Sequence, residues 1–326
     1  VTGVARARAR SNMALVKYWG KRDEALVLPH TGSLSMTLDA LVTETTVEFT
    51  GSAGPDALVL DGEPAAPGEV RRATLLLDLV RSRDPGLGAA RVSSRNGFPT
   101  AGGLASSASG FAALAAAASW AAGLDPSPAA LSILARRASG SACRSVLGGF
   151  VEWTRGERAD GDDSIAVQHV AEGAWDVAMA IAIVDVGRKE TGSRDAMKAS
   201  VESSPLYPAW VSSTSIDLDE AKRALAARDV QRLGEVAEHS ALKMHGVALA
   251  SRPAAVFWKP PTLDLLEAVR GLRRNGTGAW ATIDAGPHVA VFCEGASLQA
   301  VGASLRSIPG VREVVTCRPG PGVERI

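Results

Sequence analysis

The stretch at residues 96–123 constrains the fold more than any other part of the sequence. It begins Asn-Gly-Phe-Pro-Thr-Ala-Gly-Gly-Leu-Ala-Ser-Ser-Ala-Ser-Gly-Phe and then becomes rich in alanine. Pro99, Gly102 and Gly103 break any regular element, whereas the spacing of apolar residues from Leu104 onward predicts a helix. A loop of small residues that opens into a helix presents unpaired backbone N–H groups at the positive end of the helix dipole, which attracts phosphate.

Two interpretations of this loop are open from its residues alone. It is either a tight turn whose serines cap the helix, or a phosphate-binding loop in which Ser106, Ser107 and Ser109 hydrogen-bond phosphate oxygens or coordinate a magnesium ion. It is not a Walker A motif, because no Gly-Lys-Ser/Thr closes it, and its glycines do not follow G-x-G-x-x-G. The rest of the chain has to decide between the two interpretations.

Composition sets the broad class of protein. The chain has 326 residues, of which 46% are hydrophobic, enough for one large domain or two medium ones. Lys+Arg and Asp+Glu number 35 each, so no overall charge favours nucleic acid or a membrane as partner. The three cysteines lack metal-ligand spacing, and neither a signal peptide nor a membrane span is predicted. We therefore expect a cytoplasmic protein with reduced thiols.

Hydrophobic patterning predicts strands mixed with helices. Strands are predicted from residue 5 and at 42–50, 90–95, 164–170, 175–185, 277–283, 289–293 and 312–317, with a hairpin at 58–63. Helices are predicted at 69–83, from 104, and at 128–137, 218–227, 230–250, 263–274 and 298–307, with Ser127 and Thr262 as N-caps. Because hairpins rather than regular β-α-β units join the strands, the pattern indicates an α+β fold.

A cluster of cations and aromatic residues lies near the N-terminus. Lys17 and Lys21 flank Tyr18, Trp19 and Gly20 at one predicted turn. The residues alone allow two interpretations of this segment. The aromatic side chains are core anchors between solvated lysines, or the segment is an anion-binding corner with an aromatic wall.

Two later segments carry further candidate residues. Residues 139–141 read Ser-Gly-Ser and precede Arg144, whose forked guanidinium suits a carboxylate or a phosphate, although a lone arginine is more often a surface residue. Asp284 opens an Asp-Ala-Gly-Pro segment, where it is either a plain turn-former or a general base.

Four separated stretches together resemble the diphosphomevalonate decarboxylases of the GHMP kinase superfamily. They are residues 12–21 (Asn-Met-Ala-Leu-Val-Lys-Tyr-Trp-Gly-Lys), 96–111, 139–153 and 282–287 (Thr-Ile-Asp-Ala-Gly-Pro). They occur in the order that the family has them, and the resemblance covers nearly the whole chain. Such an ordered set is more specific than any one of its motifs.

The resemblance implies a two-lobed α+β fold of the GHMP kinase type. An ATP-binding lobe, similar to domain 2 of ribosomal protein S5, is expected at residues 1–186, and a ferredoxin-like lobe at residues 187–326. The active site is expected in the cleft between them, and the assembly is expected to be a homodimer. The sequence departs from the family at His288, where Asn is usual, and at Ala138 and Ala196, where Gly is usual.

The resemblance also implies a reaction. ATP phosphorylates the tertiary 3-hydroxyl of (R)-5-diphosphomevalonate, and the product loses phosphate and carbon dioxide to give isopentenyl diphosphate in the mevalonate route to isoprenoids. The alternative is a related enzyme that acts on mevalonate or its monophosphate, either a 3-kinase or a phosphomevalonate decarboxylase. A non-catalytic scaffold is disfavoured because Asp284, Lys17 and Arg144 are all present.

The resemblance assigns roles to particular residues. Asp284 is expected to be the general base or to orient the 3-hydroxyl, Lys17 to stabilise the transferring phosphoryl group, and Arg144 to clamp the substrate carboxylate. The implied substrate-binding residues are Tyr18, Trp19, Gly20, Lys21, Arg72, Ser139, Gly140, Ser141, Ala142, Cys143, Arg144, Ser193 and Arg194. The implied ATP-binding residues are Ser94, Asn96, Gly102, Gly103, Leu104, Ala105, Ser106 and Ser107. Ser107 is also expected to be catalytic and to contact Mg²⁺.

Overall fold

The computed structural model describes residues 3–98, 106–184 and 192–326. The strands in these ranges are β1 (Val4–Val16), β2 (Lys21–Asp23), β3 (Leu28–Pro29), β4 (Ser33–Phe49), β5 (Ala57–Leu60), β6 (Glu63–Pro64), β7 (Ala90–Asn96), β8 (Phe150–Trp153), β9 (Ala166–Val170), β10 (Val177–Ile183), β11 (Ala279–Thr282), β12 (Val289–Glu294), β13 (Glu313–Cys317) and β14 (Glu324–Arg325). The helices are α1 (Pro67–Arg81), α2 (Ser106–Ala121), α3 (Pro128–Ala138), α4 (Ser193–Ser203), α5 (Tyr207–Ala227), α6 (Val230–Leu249), α7 (Pro260–Arg274) and α8 (Leu298–Arg306). Short 3₁₀ turns lie at Pro85–Leu87, Gly140–Val146 and Gly295–Ser297.

The first sheet has the strand order β14-β1-β4-β7-β5-β6, and β8 pairs with both β4 and β9. Successive side chains of β1 point to opposite faces of this sheet, as the alternating sequence predicts. Ala5, Ala7 and Ala9 are buried in the core that α1, α2 and α3 complete. Arg8 faces the other way and pairs with Glu44 on β4 at 2.6 Å. The alanines of α2 are buried nearly all round the helix, as expected for a helix without a polar face.

The second sheet is antiparallel throughout, with the order β11-β12-β10-β13. Helices α7 and α8 pack on one face of it. The other face shares a core with α5, α6 and the first sheet, in which Leu15 of β1 belongs to the same buried cluster as Phe292 of β12. This shared core places the end of β1 beside the turn between β11 and β12.

Most predicted elements are confirmed, and the exceptions have local causes. Thr262 is not the N-cap of α7 but its third residue, and the N-cap is Lys259. The backbone N–H of Lys259 donates to Thr262 Oγ1 at 3.1 Å. Gly140 and Ser141 belong to a 3₁₀ segment rather than to a flexible loop, and Ser139 precedes that segment as its N-cap. Helix α5 begins at Tyr207, well before the predicted start. The interval at 185–189, where we expect the domain boundary, lies outside the described residues.

None of the described helices is both long enough and apolar enough to cross a lipid bilayer.

Candidate active site

The centre of the site is an ion pair between two distant parts of the chain. Lys17 directly follows β1, and Asp284 lies in the turn after β11. Lys17 Nζ lies 2.5 Å from Asp284 Oδ1 and donates a second hydrogen bond to the Ala14 carbonyl at 2.8 Å. The Lys17 side chain is 1% exposed and that of Asp284 28%. The pair is therefore closed on the lysine side and accessible on the carboxylate side.

The ammonium group of Lys17 is held in an unfavourable environment for a charge. Burial lowers the pKa of Lys17, the neighbouring Asp284 carboxylate opposes this, and the charge of Arg144 adds to the lowering. The balance leaves the pKa below the ordinary lysine value of 10.5. A lysine in this position can stabilise negative charge on a ligand and can release its proton more readily than a surface lysine.

Arg144 is the second buried cation of the site. It lies in the 3₁₀ segment Gly140–Val146 and is 2% exposed. Its guanidinium donates to Ser33 Oγ at 2.6 Å, to Ser35 Oγ at 2.9 Å and to Asn12 Oδ1 at 3.2 Å. All of these are neutral oxygens, and no carboxylate in the described ranges forms an ion pair with it. Burial lowers the pKa of Arg144, and a bound anion would relieve that penalty.

Asn12 organises this part of the site, a role that its position in a motif did not reveal. Besides accepting from Arg144, it donates through Nδ2 to the Ser145 hydroxyl at 2.8 Å and to the Ser141 carbonyl at 3.1 Å. One side chain on β1 thus fixes both the guanidinium and the segment that carries it. In the sequence, Asn12 stands out as a polar residue at the end of the alternating part of β1 and as the first residue of the stretch 12–21.

Tyr18 lines the site next to Gly140. The Tyr18 ring packs edge-on against Trp153, with centroids 4.7 Å apart. Burial raises the pKa of Tyr18, and its hydroxyl has no hydrogen-bond partner among the residues that the structure describes. Trp153 itself is buried and donates to the Ser164 hydroxyl at 2.9 Å. Trp153 is the last residue of the stretch 139–153, and the sequence does not indicate its contact with Tyr18.

Several residues with predicted substrate contacts have side chains that point into the core. Trp19 packs edge-on against Phe257, with ring centroids 6.1 Å apart, and Ala142 and Cys143 are fully buried. Any ligand contact of these three would therefore use backbone atoms. Burial also raises the pKa of the Cys143 thiol to about 12, so it is not a thiolate at neutral pH. Lys21 Nζ is paired with Glu24 at 2.5 Å.

A separate cleft lies between α1, α2 and the strands β5 and β7. Four predicted nucleotide contacts line it together with Arg72 and with apolar residues; they are Ser94, Asn96, Ser106 and Ser107. The Arg72 guanidinium stacks 4.8 Å from the centroid of the Phe111 ring. Apolar walls combined with hydroxyls and one cation suit a base with attached phosphates. The predicted contacts at Gly102, Gly103, Leu104 and Ala105 lie outside the described residues.

Arg72, which lines this cleft, lies close enough to Arg194 for their charges to interact. Burial, and then the nearby charge of Arg194, lower the pKa of Arg72 to about 10. Arg194 follows Ser193 at the start of α4 and donates to the Ala138 carbonyl at 3.1 Å. Two cations that repel one another favour binding of an anion that contacts both.

His288, which stands where the family usually has Asn, is buried. His288 Nδ1 accepts the backbone N–H of Val184 at 3.3 Å, at the end of β10. Ala196 is likewise buried, in the aromatic cluster that contains Trp19. These two departures therefore act on packing around the site.

A wider groove of about 580 Å³ lies elsewhere, between α6, α7 and β11. Two of its charged residues are paired with each other: Arg273 and Glu238 are 2.8 Å apart, and the backbone N–H of Ala281 donates to Glu238 at 2.9 Å. It contains neither member of the Lys17–Asp284 pair, so we place the site at that pair.

Comparison with known proteins decides the family. Residues 9–166 match the diphosphomevalonate decarboxylase-like N-terminal domain, and residues 179–318 match the mevalonate 5-diphosphate decarboxylase C-terminal domain. The human diphosphomevalonate decarboxylase is 38% identical over 300 residues, which are 86% of this chain and 74% of the human protein. This chain belongs to the diphosphomevalonate decarboxylase family.

Solved structures of the family agree with this assignment over the whole chain. MDDEF in complex with MVAPP, AMPPCP and magnesium is similar with a TM-score of 0.92 and 40% identity, over 100% of this chain and 99% of that one. The mevalonate diphosphate decarboxylase from Enterococcus faecalis, studied for ATP binding mediated by mevalonate diphosphate, gives the same values. The predicted GHMP kinase-type α+β fold is confirmed, while the boundary between residues 186 and 187 stays a prediction.

Proposed function

We propose that this diphosphomevalonate decarboxylase family member converts (R)-5-diphosphomevalonate and ATP to isopentenyl diphosphate, ADP, phosphate and carbon dioxide. The observation that carries the proposal is the convergence of the Lys17–Asp284 pair with Arg144, a buried cation whose described partners are all neutral. A decarboxylase must hold the substrate carboxylate while it is lost, and a buried guanidinium with neutral partners is suited to that role.

The first half of the reaction needs a group that accepts or orients the proton of the tertiary 3-hydroxyl. Asp284 is the carboxylate placed for this, because it is partly exposed while its partner Lys17 is enclosed. A general base must lie within hydrogen-bond reach of the proton that it removes. Lys17, fixed beside it, would stabilise the negative charge of the transferring phosphoryl group.

The second half needs a rigid hold on the substrate carboxylate. Phosphorylation turns the tertiary oxygen into a leaving group, its departure creates positive charge at C3, and the adjacent carboxylate then leaves as carbon dioxide. Arg144 can bind that carboxylate through its fork while Asn12, Ser33 and Ser35 keep the guanidinium in place. Because the carboxylate loses its charge in this step, the clamp has to position it without stabilising the ground state too strongly.

The remaining assignments follow the charges around the cleft. The substrate diphosphate would be held by Tyr18, Lys21, residues 139–141, Ser193 and the two arginines Arg72 and Arg194. The nucleotide would lie along Ser94, Asn96, Ser106 and Ser107, which fit because they line one cleft. The described residues contain no cluster of three or more His, Cys, Asp or Glu side chains that could bind a metal. Mg²⁺ would therefore be held mainly by phosphate oxygens, with the Ser107 hydroxyl as its protein contact.

Substrate comparison tests the proposal. Purified protein is incubated with ATP and Mg²⁺ and with 5-diphosphomevalonate, 5-phosphomevalonate or mevalonate in parallel, and carbon dioxide is measured. We expect release with the diphosphate only. Release with the monophosphate or with mevalonate in preference to the diphosphate would overturn the assigned substrate.

A further inference from the structure

Two hydroxyl groups from the C-terminal half of the chain hold the end of β1. The Ser240 hydroxyl on α6 accepts the backbone N–H of Lys17 at 3.0 Å. Thr282, the last residue of β11, donates through its hydroxyl to the Ala14 carbonyl at 2.9 Å. Both side chains are completely buried. Neither residue has a role in the reaction as described above.

Both hydrogen bonds lie next to Lys17. The Ala14 carbonyl that accepts from Thr282 also accepts from Lys17 Nζ at 2.8 Å. Thr282 is in addition joined to Asp284 through a single intervening residue. Any shift of Thr282 would therefore move Asp284 through the chain and the support of Lys17 through Ala14.

Helix α6 supports the same pair from behind. His245, on the helix that carries Ser240, packs against Trp258 with ring centroids 5.0 Å apart. The backbone at Ile283 and Asp284 lies close enough to the His245 ring to favour its charged form, which opposes the lowering of the His245 pKa by burial. One helix thus carries both Ser240, which hydrogen-bonds to the backbone of Lys17, and His245, which lies near the backbone of Asp284.

We infer that Ser240 and Thr282 are positioning residues, which set the Lys17 ammonium against the Asp284 carboxylate across the two halves of the chain. The inference rests on the proposed function for its kinetic consequence. Reaction rates are sensitive to displacements of about 1 Å at the reacting groups. Loss of either hydroxyl should lower kcat while leaving the ligand-binding residues intact.

Isosteric substitution tests this inference. Thr282→Val removes only the hydroxyl, and we expect kcat to fall roughly 10- to 100-fold with KM for both substrates unchanged. Thr282→Ser keeps the hydroxyl and should restore kcat to within about twofold of the unsubstituted protein. Ser240→Ala should resemble Thr282→Val. The matched control is Thr214→Val, since Thr214 is equally buried and donates to the Trp210 carbonyl at 2.7 Å on α5.

A readout that does not need activity separates this inference from the proposed function. In urea unfolding, Thr282→Val and Lys17→Met should be non-additive, because both remove a donor to the Ala14 carbonyl. Thr214→Val and Lys17→Met should be additive. Additive effects for Thr282, or a kcat for Thr282→Val equal to that of Thr214→Val, would overturn the inference. If the unsubstituted protein releases no carbon dioxide, the proposed function fails and the unfolding cycle still decides whether Thr282 holds Lys17.

Discussion

A single added methyl group at Gly140 should disturb both stability and substrate binding. A Cβ at this position would lie 2.8 Å from Trp153 Cη2, 2.9 Å from Cζ3 of the same ring and 3.1 Å from Tyr18 Cε1. Trp153 cannot move aside easily, because it is fully buried and its Nε1 donates to Ser164 at 2.9 Å. Overpacking of this kind costs about 1–3 kcal/mol. We expect Gly140→Ala to lower the free energy of unfolding by that amount.

The same substitution should be visible in kinetics. To relieve the contact, either the 3₁₀ segment or the Tyr18 ring has to shift, and both border the proposed diphosphate-binding corner. We expect KM for the diphosphate substrate to rise while KM for ATP stays the same, because the nucleotide cleft is lined by other residues.

A second glycine offers a matched control. An added Cβ at Gly246, in the last turn of α6, meets nothing within 4 Å. Gly246→Ala should therefore stabilise the protein by about 0.5–1 kcal/mol through helix propensity. Urea unfolding at 25 °C measures both variants. If Gly140→Ala is as stable as Gly246→Ala and keeps the original KM, the packing argument for Trp153 is refuted.

Four further predictions address the charged groups. Asp284→Asn should lower kcat by roughly 10²–10⁴, as measured by ADP release. Arg144→Lys keeps the charge but loses the fork, so carbon dioxide release should fall and the free energy of unfolding should drop by about 1–3 kcal/mol. Because burial lowers the pKa of Lys17, kcat should fall at alkaline pH below 10.5, and Lys17→Arg should abolish that alkaline limb in a pH–rate profile. Burial lowers the pKa of His245 from 6.5 to about 4. Between these pH values the unfolded state binds more protons than the folded state, so the free energy of unfolding falls as the pH falls. Urea titrations should show a loss of up to about 3 kcal/mol, which should be absent in His245→Asn.

The sequence predicts an element well where nearby residues alone determine its conformation. The Asp61-Gly62 turn joins β5 to β6 with φ angles of 51° and 92°, as the sequence of the hairpin predicts. The first half of α5 was missed because its serines and threonines are poor helix formers. Burial of Tyr207, Trp210 and Thr214 on one face stabilises that part of the helix instead.

The site was only partly predictable for a related reason. Lys17 and Asp284 are separated by 267 residues, and nothing in either segment alone indicates that they meet. The family resemblance implied only that both residues act in one reaction, and the structure shows that the two side chains are in contact. Contacts of Asn12, Trp153 and Thr282 were beyond sequence reasoning, because each joins distant segments through side chains that also read as ordinary core residues.

The most direct test of the proposed reaction is the stoichiometry of its products. ADP, inorganic phosphate and carbon dioxide are quantified from one reaction of the unsubstituted protein with ATP, Mg²⁺ and 5-diphosphomevalonate. Our account predicts that the three products appear in equal amounts. ADP without carbon dioxide would identify a kinase and would contradict the role of Arg144 as a clamp on a departing carboxylate.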